Sequence, residues 1–199
     1  MDNIFLSEVI TTRISHDIIG NIGAVANAME LLNDCEPEDD NSDVFNILDY
    51  SSQVLTKRMK FFRLCFGLAN SSLKLEEMKK ITEDYFSTLG HPKNPTEIVL
   101  NINSPEAYKL VLPTAMMMAD TISKTGKIEV RQTEHSLIIS AISSASLDMD
   151  KLHNIDLILQ GQKAEDNQSI YAPLYYLMSY LEGSDIPVKR VDNTLIIGD

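Results

Sequence analysis

The residues best placed to do chemistry lie in one run, Arg13-Ile14-Ser15-His16-Asp17-Ile18-Ile19-Gly20-Asn21-Ile22-Gly23-Ala24. On an α-helix, with about 100° per residue, the apolar residues Ile14, Ile18, Ile22, Val25, Met29 and Leu32 gather in a sector about 80° wide. His16 then falls about 165° from the centre of that sector and points away from the core. A neutral imidazole presented in this way is a competent nucleophile. Asp17 follows directly and can hydrogen-bond a ring nitrogen or a water, fixing the tautomer. Thr12, Gly20, Gly23 and Asn27 share the face of His16. A glycine inside a helix costs about 1 kcal/mol relative to alanine, so two of them on this face call for a reason. Either they clear space for another protein to approach His16, or they pack against another helix of the same bundle.

The elements that position this run are helical. The 3.6-residue period predicts one helix over residues 4–33. An acidic, proline-containing break follows over residues 34–41, and a second helix starts near Ser42, a plausible N-cap with Asp43 in its first turn. The second apolar seam is Val44, Leu48, Leu55, Met59, Phe62 and Phe66, and the helix ends near Gly67. In an antiparallel hairpin turning near residue 38, residue i faces about residue 76 − i, which sets His16 beside residue 60. Lys57, Arg58, Lys60 and Arg63 lie there, with no acid between Asp49 and Glu76. Cations beside a nucleophilic histidine suit a phosphoryl group, because they offset its charge. The same four bases also fit an ordinary solvated face whose cations complement the helix dipole. A hairpin of this kind has one apolar face too many to stand alone, and a second copy would complete a dimeric four-helix bundle.

Residues 71–199 alternate between helix and strand patterns. Helices are predicted over residues 75–89, 106–124 (bent or interrupted at Pro113), 149–160 and 170–181, and strands over 97–103, 127–133, 136–143, 188–191 and 195–197. Glu134-His135 and Asp192-Asn193 are hairpin signals. The order predicts an α+β layer with helices on one face of a mixed sheet. Asn70-Ser71-Ser72 reads as the linker, which divides the chain into a helical unit, 1–70, and an α+β unit, 71–199.

With 199 residues and 44% hydrophobic content, the chain is long enough for one large domain or two small ones. The 29 acids against 17 bases, a net charge of −12, argue against general nucleic-acid binding. No apolar run is long enough for a membrane span, and the N-terminus lacks a signal-peptide layout. Two widely spaced cysteines, Cys35 and Cys65, read as free thiols of a cytoplasmic protein without a zinc motif. His91, His135 and His153 are isolated and lack metal-ligand spacing, so each reads as a loop or surface residue and no metal site is expected. Tyr171, Tyr175 and Tyr176 read as core or dimer contacts.

The runs R-I-S-H-D-I-I-G-N-I-G-A-V-A-N-A-M-E-L-L, residues 13–32, and R-M-K-F-F-R-L-C-F-G, residues 58–67, resemble the two helices of ChpT-like histidine phosphotransferases. The first is also similar, more loosely, to the H-box of sensor histidine kinases. The order of elements after residue 71 resembles that family's second domain, a degenerate version of the kinase ATPase domain. The resemblance implies a homodimeric phosphorelay intermediate. It would accept a phosphoryl group from the receiver domain of a hybrid histidine kinase and pass it to response regulators. His16 would be the phosphoacceptor, Asp17 the adjacent acid–base or orienting residue, and Arg13, one turn before, would lie near the phosphoryl group. Receivers would dock around Thr12, Gly20, Asn21 and Gly23 on the first helix and Lys57, Arg58, Lys60, Phe62 and Arg63 on the second. They would bring their own Mg²⁺, so no cofactor is expected on this chain. Histidine kinases commonly place Thr or Asn four residues after the histidine, followed by Pro. Gly20 and Asn21 stand there instead, which removes the residue that orients water for phosphatase chemistry and the kink that proline causes.

An ATP-dependent kinase is disfavoured. Such a site needs Gly-rich boxes, but after residue 71 the glycines are Gly90, Gly126, Gly161, Gly183 and Gly198, with no G-x-G, and Walker A is absent. The helix that would supply Asn ligands to Mg²⁺ reads Leu-Pro-Thr-Ala-Met-Met-Met-Ala-Asp over residues 112–120, better suited to core filling. Three alternatives stay open: a non-catalytic dimeric receiver-binding scaffold, a kinase core diverged beyond recognition, and a helical dimer of unrelated function.

Overall fold

The computed structural model describes residues 2–34, 36, 40–67, 73–91 and 93–199. Half of the predicted acidic break, including Cys35, and the predicted linker at residues 70–72 lie outside the described residues. Helix α1 (Asn3–Asp34) and helix α2 (Ser42–Phe66) form the antiparallel hairpin. Its register follows the expected pairing closely: the guanidinium of Arg58 donates to the backbone carbonyl of Asp17. Ser42 opens α2, as expected, but does not cap it. Asp40 supplies the acceptor, its Oδ1 lying 3.0 Å from the Ser42 amide. Gly67 ends α2 in an extended conformation, with its amide on the carbonyl of Arg63.

The remaining elements are α3 (Leu75–Phe86), a two-residue pair β1 (Gly90–His91) and β2 (Asn94–Pro95), then β3 (Glu97–Asn101) and α4 (Tyr108–Asp120). These are followed by β4 (Gly126–Gln132), β5 (Ser136–Ser143), α5 (Met149–Leu159), a 3₁₀ turn (Gln168–Tyr171), α6 (Ala172–Tyr180), β6 (Val188–Val191) and β7 (Thr194–Gly198). Five strands form one mixed sheet in the order β3-β4-β5-β7-β6, in which only the β3–β4 pair is parallel. Asp192 takes a left-handed conformation, φ 51°, in the β6–β7 turn, as the Asp-Asn hairpin signal requires. The small β1–β2 pair was not read from the sequence, because two residues per strand carry no periodicity.

The sheet follows the alternation of its strands. Ile128 and Val130 on β4, Leu137, Ile139 and Ala141 on β5, and Leu195 and Ile197 on β7 all turn inward. They meet α4, on which Val111 to Ala119 are buried without a break and which runs through Pro113 as one helix. The three consecutive methionines, Met116 to Met118, are wholly buried, as core filler should be. Tyr171 and Tyr175 are core residues as well.

The hydrophobic core is continuous. Val9 of α1 and Phe61, Phe62, Leu64 and Cys65 of α2 belong to the same cluster as the sheet and α4. Phe61 stacks on Tyr85 of α3 with ring centroids 3.8 Å apart, and Phe66 meets Tyr176 of α6 edge-on at 5.1 Å. The half of the hairpin nearer the turn lacks this cover. Ile22 and Met29, both in the predicted seam, are each 48% exposed, and Phe45, Ile47 and Tyr50 are exposed too. The apolar seam of α1 therefore divides: Ile14 and Ile18 pack on the core, while Ile22 and Met29 stand open.

Candidate functional site

His16 projects from the middle of α1 with 82% of its side chain exposed. Its Nδ1 lies 3.5 Å from Oδ1 of Asp17, whose own side chain is only 16% exposed. The difference between adjacent residues is what a 100° step around a helix produces at the border between solvent and packed core. The other Asp17 oxygen, Oδ2, accepts from Nε of Arg13 at 2.9 Å, one helical turn back.

Arg13 is not where the sequence reading placed it. It is buried, and its guanidinium spans α1, α4 and the 3₁₀ turn. Nη1 donates to Oδ2 of Asp120 at 2.6 Å and to the carbonyl of Ile170 at 3.1 Å, and Nη2 donates to Oδ1 of Asp120 at 3.2 Å. Four donor contacts are thus committed within the chain, so Arg13 does not reach out to a phosphoryl group on the face of His16. The physical reason is that α1 packs on the 3₁₀ turn and α6, from where the long Arg13 side chain reaches the carboxylate that closes the otherwise apolar α4 and needs a cation. Burial alone would lower the Arg13 pKa. The carboxylates of Asp120 and then Asp17 more than offset this, and the group is held above its ordinary value.

The bases of α2 divide in the same way. Arg58 is half-buried and joins α1 to the end of α3, donating to the Asp17 carbonyl and to Thr88 Oγ1 and Thr88 O, each at 3.3 Å. Lys57 donates to Ser87 Oγ at 3.1 Å. Lys60 and Arg63 are exposed and border an open groove of about 730 Å³ that Ile14, Leu55, Met59 and Phe66 also line. Phe62 is 3% exposed and packs among Phe61, Phe66 and Tyr85, so it belongs to the core, while it also lines the same groove.

On α1, Thr12 and Gly20 are exposed, and Asn21 and Gly23 half-buried. A Cβ placed on Gly20 or Gly23 would meet no atom within 4 Å. Packing among the described residues therefore does not require either glycine. His91, His135 and His153 are exposed, as read. Among the described residues no group of three or more His, Cys, Asp or Glu could hold a metal ion, and no helix is long and apolar enough to cross a membrane.

Sequence reasoning missed Asp120, Tyr85, Thr88 and the Ile170 carbonyl. Asp120 stands 107 positions from Arg13, beyond any local spacing rule. One signal was available: a carboxylate ending a helix that is otherwise apolar must find a cation elsewhere in the fold. Tyr85 is buried, its hydroxyl has no hydrogen-bond partner among the described residues, and it feels the charges of Arg13, Asp17, Asp120 and Arg58. Burial pushes its hydroxyl above the ordinary tyrosine range.

The fold and this site define a class: a long helical hairpin carrying an exposed histidine with a tethered carboxylate beside it, joined to a mixed α+β layer. Comparison with known proteins is in keeping with that class. The chain is 27% identical over 111 residues to the protein phosphotransferase ChpT of Brucella abortus (strain 2308), an alignment that covers 49% of this chain and 52% of that protein. The chain thus spans about half the length of the curated relative it matches. In structure it is similar to a solved protein described as a bacterial phosphotransferase, with a TM-score of 0.72 and 18% identity over 99% of this chain and 96% of the other. No protein-family model matches. The resemblance to ChpT-like phosphotransferases therefore stands on sequence over half the chain, and the fold on nearly all of it.

Proposed function

We propose that this protein is a histidine phosphotransferase of a bacterial phosphorelay, with His16 as the residue that carries the phosphoryl group. The observation that supports this most is the pairing of an 82% exposed imidazole with a carboxylate that is itself held in place. Nε2 of His16 attacks the phosphorus of a receiver's aspartyl-phosphate in line. The P–N bond forms as the P–O bond breaks, and the receiver's carboxylate leaves with the electron pair. The ring becomes an imidazolium, and Asp17 beside Nδ1 offsets its charge. Keeping the Nδ1 proton makes the ring a good leaving group when the aspartate of a second receiver takes the phosphoryl group in the reverse step. Lys60 and Arg63 offset charge on the incoming partner, and catalysis is positioning plus electrostatics. Mg²⁺ would come with the receiver.

Two copies would pair through the open seam, with Ile22, Met29 and their neighbours covered in a four-helix bundle. In this reading residues 1–70 are the dimerising, phosphotransferring unit and 71–199 a degenerate ATPase-like unit without a nucleotide site. The partners are receiver domains of a hybrid histidine kinase and of response regulators, and the setting is the cytoplasm.

The test is phosphotransfer itself. The purified chain is mixed with a receiver bearing radiolabelled aspartyl-phosphate, and the label is followed onto it and then onto a second receiver. Acid-labile, alkali-stable label on the wild type and none on His16→Ala is the expected result. Label on His16→Ala refutes the assignment. Receiver binding that survives His16→Ala, with no phosphohistidine on the wild type, favours a scaffold instead.

A further inference from the structure

We propose that Arg13 and Asp120 are positioning residues for His16: Asp120 occupies the forked edge of the Arg13 guanidinium, so that Asp17 is held by one oxygen only and keeps its other oxygen turned toward His16 Nδ1. The inference rests on the reading of His16 as the phosphoacceptor. It gives the α+β part of the chain a task at the site, since Asp120 and the Ile170 carbonyl both belong to that part.

The geometry carries the argument. A guanidinium binds a carboxylate best through two parallel N–H donors. Arg13 lies near two carboxylates, and Asp17 sits four residues along the same helix, within easy reach of such a bidentate pairing. In the structure that pairing goes to Asp120 instead, through Nη1 at 2.6 Å and Nη2 at 3.2 Å. Asp17 receives only Nε, on Oδ2, at 2.9 Å. Oδ1 is left 3.5 Å from Nδ1 of His16. Arg58 fixes the same residue from the other side by donating to the Asp17 carbonyl, so the backbone beneath Asp17 is tied as well.

The consequence is a tautomer choice. An anionic oxygen facing Nδ1 favours the proton on Nδ1, which leaves the Nε2 lone pair free and pointing to solvent. If the charge of Asp120 were removed, the Arg13 fork would turn to Asp17 and draw in both of its oxygens, and the preference at His16 would fade. Behind a metal-bound histidine an orienting partner is worth about ten- to hundredfold in activity, and an effect at the lower end of that range is expected here.

The experiment uses the full chain and a small phosphodonor, phosphoramidate, so that no receiver is needed. Two readings are taken on wild type, Asp120→Asn and Asp120→Glu. The first is the ¹⁵N spectrum of the imidazoles, with His16 assigned by His16→Ala, which reports the tautomer. The second is the rate of phosphohistidine formation by ³¹P NMR. In wild type the expected result is a predominantly Nδ1-protonated ring. Asp120→Asn should give a larger Nε2-protonated share and phosphorylation on the order of tenfold slower, with circular dichroism unchanged, and Asp120→Glu should restore part of both. A folded Asp120→Asn protein with the wild-type tautomer and rate overturns the proposal and leaves the bridge a purely structural tie. Should Asp120→Asn fail to fold, Arg13→Lys, which keeps the charge but loses the fork, is read in the same way. The tautomer measurement needs no phosphorylation. Failure of the phosphoacceptor reading, seen as a wild type that phosphoramidate does not label, is therefore distinct from failure of the positioning proposal.

Discussion

Replacing Gly20 and Gly23 together with alanine separates stability from partner access. Each glycine lies mid-helix and each Cβ would enter open space, with no atom within 4 Å. The substitution thus brings the helix-propensity gain of about 1 kcal/mol per site with no steric cost inside the chain. The pair should add about 2 kcal/mol, or roughly 4–8 °C in melting temperature for a chain of this size. The two positions lie about 6 and 10 Å along α1 from His16, under the path an incoming receiver would take. A methyl group there holds the partner off by on the order of an ångström, and a misplacement of that size costs about a hundredfold in rate. The assay pairs thermal unfolding with phosphotransfer from a labelled receiver, and uses phosphoramidate as a donor that needs no docking. The expected outcome is a more stable protein with slower transfer from the receiver and unchanged labelling by phosphoramidate. Higher stability with undiminished receiver transfer would refute the argument that the glycines clear space for a partner. A lower melting temperature with loss of dimer would assign them to packing between copies.

Three further outcomes follow from the same geometry. Tyr85→Phe should leave stability unchanged or raise it by about 1 kcal/mol in urea denaturation, because the hydroxyl it removes is buried without a hydrogen-bond partner among the described residues; a loss above 1 kcal/mol would contradict this. Cys65 is wholly buried, and burial raises its thiol pKa, an effect the charge of Lys109 only partly offsets. In a Cys35→Ser background the native protein should therefore not react with a thiol reagent at pH 8 until it is unfolded. The hydrogen bonds from Ser42 lower the Asp40 pKa below its ordinary value of 3.8. A lowered carboxylate pKa stabilises the fold above the ordinary value and loses that contribution as pH falls through the folded value. Amide exchange at Ser42 should thus quicken relative to the middle of α2 as the pH drops below 3.8, and Asp40→Asn should show no such pH dependence.

Much of this molecule was legible in its sequence. The bounds of α1, α2, β5 and α5 follow from periods of 3.6 and 2 and from the turn residues between them. The outward position of His16 follows from helical angle alone, and the pairing of Arg58 with the backbone of Asp17 follows from the register that the turn of the hairpin sets. These are local properties, decided by side-chain type over a few turns of chain. Tertiary structure decided the rest. Phe62 and Arg58 carry the same helical period as their neighbours, yet α3 packs beside α2 and takes one into the core and the other into a bridge to Thr88. The resemblance puts Arg13 near the phosphoryl group, whereas the fold sets Asp120 against it. Which charge is free and which is spent depends on contacts across a hundred residues, and no spacing in the sequence encodes them. The sequence by itself determined where an exposed histidine could stand; the packing of the 3₁₀ turn and α6 against α1 determined that Arg13 lies between Asp17 and Asp120.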